Sequence, residues 1–445
     1  MSPGTNAAFG AEECHFASGF EMTRFEESKQ KAKLGFASPV VGVLVMANTL
    51  LGGSGMLGIP SAFAECGWAL GLVCIFCFGI FSAFGSHLLA CAAIKLGHAP
   101  ASFYSVSNTV APQWTWLIDG AVMIKCFGVG TSYLIIVGDL LPDALSNLGV
   151  HGMTRREGVL IGFAVAGPLA FLKNLSALRY TAMGSVIIAI WTAILIVLFC
   201  LVREGTFEPC GTVDQTLPCE GAPYVPVGHN WLDILRALPV FIFGFTCQQN
   251  VFTVVNEVRD TTKARVNMMI VPAYLISAVL FGGAAFAGYM TYGTLVAKDV
   301  LSSYPRVPIV TVSRLLFTIL VMFSYPMQAH PSRLSALALM HKFYPARANE
   351  GANGGTAAAA TAKVRFWVIT ALWVTLSLTV ALLVSDLSTI LGIVGATGST
   401  TVTYILPGLL YLRSHRHSHW KRRFAMLQLF AGCIIMPLCL TVLFV

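Results

Sequence analysis

Charge is what this chain has least of. Asp, Glu, Lys and Arg make up 11% of its 445 residues, under half of the roughly 25% carried by an ordinary soluble domain, which excludes a soluble globular fold. Catalytic signatures are missing as well. There is no HExxH helix, no GxSxG elbow and no P-loop lysine, so an enzyme is not expected, and neither is a resident metal or cofactor. A cleavable signal peptide is also lacking: the first 37 residues hold Glu12, Glu13, Arg24, Glu26, Glu27, Lys29, Lys31 and Lys33 and no apolar core. The amino terminus is therefore expected to stay in the cytoplasm. No self-similarity of 20–50 residues marks a solenoid or propeller.

What the chain does have is apolar length. Hydrophobic residues reach 56% and the mean hydropathy is +0.74, the composition of an all-α polytopic membrane protein. At roughly 20 apolar residues per crossing, about eleven spans are expected. The first five cover Ser38–Glu65, Trp68–Leu96, Trp114–Leu141, Arg156–Leu172 and Leu178–Val202. The rest cover Leu232–Asn256, Val266–Tyr292, Val307–Gln328, Arg365–Ser385, Leu387–Leu412 and Phe424–Val445. Lysine and arginine gather in cytoplasmic loops. With the amino terminus inside, that side receives Lys95, Lys173, Arg259, Arg333, Lys342, Arg365 and the cluster from Arg413 to Arg423, a clear majority. That cluster is a topology anchor near anionic lipid, and the net charge of +8 needs no nucleic-acid partner.

Of twelve cysteines, ten lie in or beside apolar spans or in the tail, where a thiol behaves as a small hydrophobe. Cys210 and Cys219 stand apart in the hydrophilic segment Glu204 to Asn230, on the expected outer side, where disulfides persist. The stretch from Leu337 to Lys363 contains GANGGTAAAATA and reads as a flexible, low-complexity connection.

The first span carries NTLLGGSGMLGIP, Asn48 to Pro60, with four glycines, Ser54 and a proline. Glycine costs a helix interior about 1 kcal/mol relative to alanine, and freed backbone survives in a bilayer only where protein or a polar cavity covers it. The run predicts a helix broken around Gly52, Gly53, Ser54 and Gly55, although a close helix crossing would also use small residues. GFTCQQ, Gly244 to Gln249, interrupts the sixth span. Five spans separate the two breaks, so two halves of opposite sense are expected, with a solute site at the breaks.

Four motifs in order carry a family resemblance: NTLLGGSGMLGIPSAFAECGW from Asn48, GVGTSYLIIVGDLLP from Gly128, FGFTCQQNVFTVVNEV from Phe243 and YPMQAHPSR from Tyr325. They resemble the amino acid/auxin permease family, which includes sodium-coupled neutral amino acid transporters and vacuolar amino acid exporters. The resemblance implies a LeuT-like inverted repeat of five and five helices, with discontinuous helices one and six and an additional last helix at about 424–445. The repeats would fall at about 38–202 and 231–412, joined by an outer loop at 203–230. It implies a secondary transporter that moves amino acids by alternating access. The amino acid's carboxylate would meet amides near Gly53, Ser54 and Gly55. Its ammonium would meet carbonyls near Thr49, Leu50 and the segment from Phe243 to Thr246. Phe243, Phe245 and Cys247 would size the side-chain pocket.

Asn48 matches an asparagine that sodium-coupled relatives place near a cation. Two hydroxyl positions of the eighth span read Met322 and Ser324 here, so one oxygen is replaced by a thioether, and the coupling ion stays open between proton and sodium. Lys125, in the third span, is either a fixed positive charge standing in for a bound ion or a lysine snorkelling to the membrane face. Glu65 and Glu257 stand at opposite ends of the broken helices as boundary or gate residues, Glu257 beside Arg259 and Lys263. A sensor that binds an amino acid without moving it, or a carrier of another small amine, would use the same scaffold. A monomer in the plasma membrane is expected, with a vacuolar or lysosomal membrane as the alternative address.

Overall fold

The computed structural model describes residues 39–97, 101–172, 178–210, 219–221, 225–228, 230–258, 261–343, 354–415 and 419–444. Its elements are helical throughout the described residues, as befits backbone that must satisfy itself inside lipid. In chain order they begin with α1 (Pro39–Leu51), α2 (Gly55–Cys66), α3 (Trp68–Leu96), the short α4 (Phe103–Val110) and α5 (Thr115–Ser146). Next come α6 (Arg155–Leu169), α7 (Leu178–Leu201), α8 (Trp231–Gly244), α9 (Gln248–Glu257) and α10 (Lys263–Tyr292). The series ends with α11 (Val300–Ser303), α12 (Pro308–Phe343), α13 (Gly354–Leu383), α14 (Leu387–Val394), α15 (Leu406–Ser414) and α16 (His419–Leu443).

Nine helices among the described residues are long and apolar enough to cross a membrane, and the bent pair α1 and α2, angled at 52°, makes a tenth. The expected fourth span is α6, whose 15 residues reach only about 22 Å at 1.5 Å per residue. Two boundaries differ from expectation. The eighth span runs on to Phe343 and the ninth starts at Gly354, so much of the supposedly flexible connection is helix. Alanine is the strongest helix former, and TAAAATA lengthens α13 rather than loosening it.

Packing reveals two halves. Spans three and eight (α5, α12), two and seven (α3, α10), and one and six (α2 with α8, α1 with α9) are paired, each five spans apart. Span five packs on spans seven and eight, and span ten packs on spans two and three. That exchange of partners is what an inverted repeat of five and five helices requires. Spans three, six and ten are mostly buried, whereas nine and eleven turn most of their surface outward, with Leu372, Leu376 and Phe430 exposed where lipid would lie. The loop after span five folds over the ends of spans one, two and seven, where Gly228 donates to the Cys66 carbonyl and Gly221 to that of Tyr292. Cys210 and Cys219 are joined in a disulfide in that loop, which marks one membrane face.

Candidate functional site: two broken helices beneath an acidic vestibule

Span one stops being a helix at Leu51 and restarts at Gly55. Gly52 donates to the Asn48 carbonyl at 2.7 Å, and the carbonyls of Thr49 and Leu50 flank the space beside Gly53. A Cβ built on Gly53 would stand 3.8 Å from the Thr49 oxygen, 3.9 Å from the Leu50 oxygen and 3.8 Å from the Tyr133 hydroxyl, all ordinary contacts. Gly55 differs. A Cβ there would come within 2.8 Å of the Gly244 Cα, so the two broken spans touch backbone to backbone. Both readings of the glycine run therefore hold: the helix breaks between Leu51 and Gly55, and Gly55 serves the crossing.

Ser54 begins α2 without a side-chain cap, and its hydroxyl pairs instead with Ser132 of α5 at 2.7 Å. The first amides of a helix have no partner within it and carry partial positive charge. Here they stand across the break from the Thr49 and Leu50 carbonyls. Such a pairing of amide donors with carbonyl acceptors suits a zwitterion, an α-carboxylate at one end and an α-ammonium at the other.

The second break is held from outside. Ser82 of α3 donates to the Phe245 carbonyl at 2.5 Å and bonds the Tyr274 hydroxyl at 2.9 Å. Gln248 donates to the Ser82 hydroxyl at 2.8 Å, and Thr403 donates to the other end of the Gln248 amide at 3.0 Å. Cys247 bonds Tyr274 and Thr246 bonds the Ile242 carbonyl. Of the three expected pocket residues, Phe243 approaches Gly55. Phe245 and Cys247 instead turn toward spans two and seven: the Phe245 ring packs on Tyr274 and Phe281. The Phe245 carbonyl, expected for the ammonium, is occupied by hydroxyls. Every unwound peptide group buried in this interior needs a partner, and the side chains of spans two, seven and ten supply it.

Asn48 is buried, and its side-chain oxygen has no hydrogen-bond partner among the described residues. Ser324 donates within its own helix to Leu320 at 2.9 Å. Lys125 is only 3% exposed, which rules out snorkelling. Its backbone packs on Gly398, where a Cβ would come within 2.8 Å of the Lys125 nitrogen. Gly398 belongs to a π-helical stretch of span ten, Gly395–Ser399 followed by Thr401–Ile405, a distortion that occurs often at functional sites. Glu65 pairs with Lys298 at 2.8 Å on the disulfide face. The side chain of Glu257 and all of Arg259 lie outside the described residues, and so does that candidate gate. Residues that sequence reasoning missed are Ser132, Tyr133, Ser82, Tyr274, Gln248 and Thr403. Their only signal was polarity inside apolar spans.

Above the break, on the disulfide face, a cavity of about 630 Å³ opens between spans three, four and ten and the loop after span seven. Asp139, Asp143, Asp299, Asp386, Arg155 and Lys298 line it. Asp139 lies seven residues beyond Ser132 on α5, about 10 Å along the axis.

Two inverted five-helix halves with breaks in the first helix of each define a membrane carrier of the LeuT-like class. The chain matches the family model described as transmembrane amino acid transporter protein over residues 37–445. It belongs to that family, whose members are transporters rather than enzymes. It is 34% identical to vacuolar amino acid transporter 5 of Schizosaccharomyces pombe, covering 92% of this chain and 94% of the relative. Vacuolar amino acid transporter 6 of Saccharomyces cerevisiae is 30% identical over 90% of this chain and 97% of its own length. Among solved structures, MhsT in complex with L-phenylalanine matches with a TM-score of 0.53 at 12% identity, covering 92% of this chain and 99% of that one, a likeness of fold.

Proposed function

We propose that this amino acid transporter works by alternating access around the two breaks and couples transport to protons. The carrying observation is that the Thr49 and Leu50 carbonyls and the Tyr133 hydroxyl all lie within 3.9 Å of where a Gly53 Cβ would stand, next to the uncapped start of α2. The amino acid's carboxylate binds the amides at Ser54 and Gly55, and its ammonium binds the two carbonyls. Charge on both ends is met by backbone, so no buried acid is needed.

Proton coupling is favoured over sodium by two features. A basic side chain, Lys125, is buried in span three, and the hydroxyl position at Met322 offers no oxygen, whereas a hard cation wants several. The naming of the two yeast relatives supports a vacuolar membrane, and the charge bias supports a cytoplasmic amino terminus, with a monomer as the working unit. Uptake of individual amino acids into proteoliposomes under a proton gradient, a sodium gradient or neither tests the reading. Accumulation is expected with the proton gradient alone. Drive by sodium alone overturns the coupling, and binding without flux under any gradient overturns transport in favour of a sensor.

A further inference from the structure

The four aspartates of the vestibule are not equivalent. Asp139 is bonded by Arg155 at 2.7 Å, and Asp143 by Arg306 at 2.8 Å with Arg314 at 3.9 Å. Lys298 is held by Glu65. Asp386 accepts from the Ser388 amide and the Thr389 hydroxyl, and neither it nor Asp299 has an ion-pair partner among the described residues. Asp299 is the extreme case: it is 3% exposed, its Oδ1 accepts from the Leu301 amide at 2.9 Å, and its Oδ2 is buried with no hydrogen-bond partner among the described residues. The Ser302 hydroxyl, also on the cavity wall, is equally unpartnered. A carboxylate oxygen left so costs several kcal/mol unless something fills its place. Arg155, Lys298, Arg306 and Arg314 stand against the four aspartates, yet none of these bases comes within ion-pair distance of Asp299 or Asp386.

We propose that this vestibule is a binding site for an organic cation, the ammonium or guanidinium side chain of a basic amino acid, with Asp299 and Asp386 as its counter-charges and Ser302 as an additional acceptor. The site rests on the reading of the chain as an amino acid transporter and adds a substrate class to it: basic amino acids are collected here, about two helical turns above the breaks, before they enter. A cation supplies the partner that Asp299 Oδ2 lacks. The paired Asp139 and Asp143 fix the walls and leave the two unpaired acids for the ligand.

Asp299 lies outside the membrane spans, where burial, and then the nearby charge of Asp139, pushes its carboxyl up to about 8. The groups that face it are Asp139 and Asp143 of α5, Arg155 of α6, Arg314 of α12 and Asp386, with Lys298 beside it in its own loop. Below that pH the empty site holds a proton, and an arriving cation displaces it.

The test is calorimetric titration of the full-length protein in nanodiscs with L-arginine, L-lysine and L-glutamine at pH 7, in two buffers of different ionisation enthalpy. Arginine and lysine are expected to bind about tenfold tighter than glutamine, roughly 1.4 kcal/mol, with release of a proton that glutamine does not cause. Asp299→Asn should bring the arginine-to-glutamine ratio close to one. Should that variant not fold, the wild type decides alone: the arginine preference should shrink as salt is raised. Equal binding of arginine and glutamine, arginine binding without proton release, or sodium chloride binding in place of arginine overturns the site. Parallel flux measurements separate the two readings. Glutamine flux without arginine preference removes the vestibule site and leaves transport standing, whereas Asp299-dependent arginine binding without flux of any amino acid supports the site and removes transport.

Discussion

Gly53 and Gly55 stand two residues apart and answer to different demands, one lying beside the Thr49 and Leu50 carbonyls and the other letting two backbones meet. Lys125 answers to a third, a basic side chain kept inside the protein, where such groups are functional candidates. Replacing it with methionine preserves the stem and removes the ammonium. The order of preference among amino acids should then stay the same while dependence on the ion gradient changes, measured as uptake under proton and sodium gradients. Unchanged dependence would reduce Lys125 to packing. Residues of this kind were legible because glycine, lysine and paired cysteines are anomalous in their settings. Ser132, Tyr133 and Gln248 were not, since a hydroxyl or amide in an apolar helix looks the same whether it bonds its own turn or reaches another span, and only the fold distinguishes Thr131, which bonds Phe127, from Ser132, which also meets Ser54.

At the scale of elements, the two breaks are built differently. Span one is left open on the side of Gly53, while span six is tied down by Ser82, Tyr274, Gln248 and Thr403. That asymmetry gives span six the role of a fixed wall. Ser82→Ala removes the donor to the Phe245 carbonyl and one partner of Gln248, so thermal unfolding in nanodiscs should show a loss of about 1–3 kcal/mol, the cost of stranding a buried polar group. A variant as stable as the wild type would mean that water or Tyr274 takes over. Helix existence was legible from apolar length, and span two was placed at Trp68–Leu96 from sequence and structure alike. Helix ends were less so. Polarity ends an apolar run but need not end a helix, which is why α12 continues past Gln328 and α13 starts in an alanine tract. The π-helical stretch of span ten left no mark beyond its small residues, because its register is set by packing on Lys125 and Pro239.

Across the whole molecule, the exchange of partners between halves supplies the mechanics of a carrier: equivalent helices in opposite orientation can close one face while opening the other. The Glu65 to Lys298 pair joins the end of span one to the loop after span seven on the disulfide face. Cysteines at both positions, bridged by a bifunctional methanethiosulfonate long enough to span the two side chains, should arrest uptake, and a reductant should restore it; flux that continues through the cross-link would show that this face need not open there. The inverted halves were legible from two interruptions five spans apart. The vestibule was not, because its acids come from helices and loops that meet only in the fold. Uptake by the Gly53→Val variant beside the wild type, in proteoliposomes under a proton gradient, tests the central claim most directly. The added side chain meets no protein atom closer than ordinary contact at its Cβ, so the account predicts a folded protein whose uptake falls by at least about tenfold, the equivalent of roughly 1.4 kcal/mol. A folded variant that transports like the wild type would contradict it and place the amino acid elsewhere.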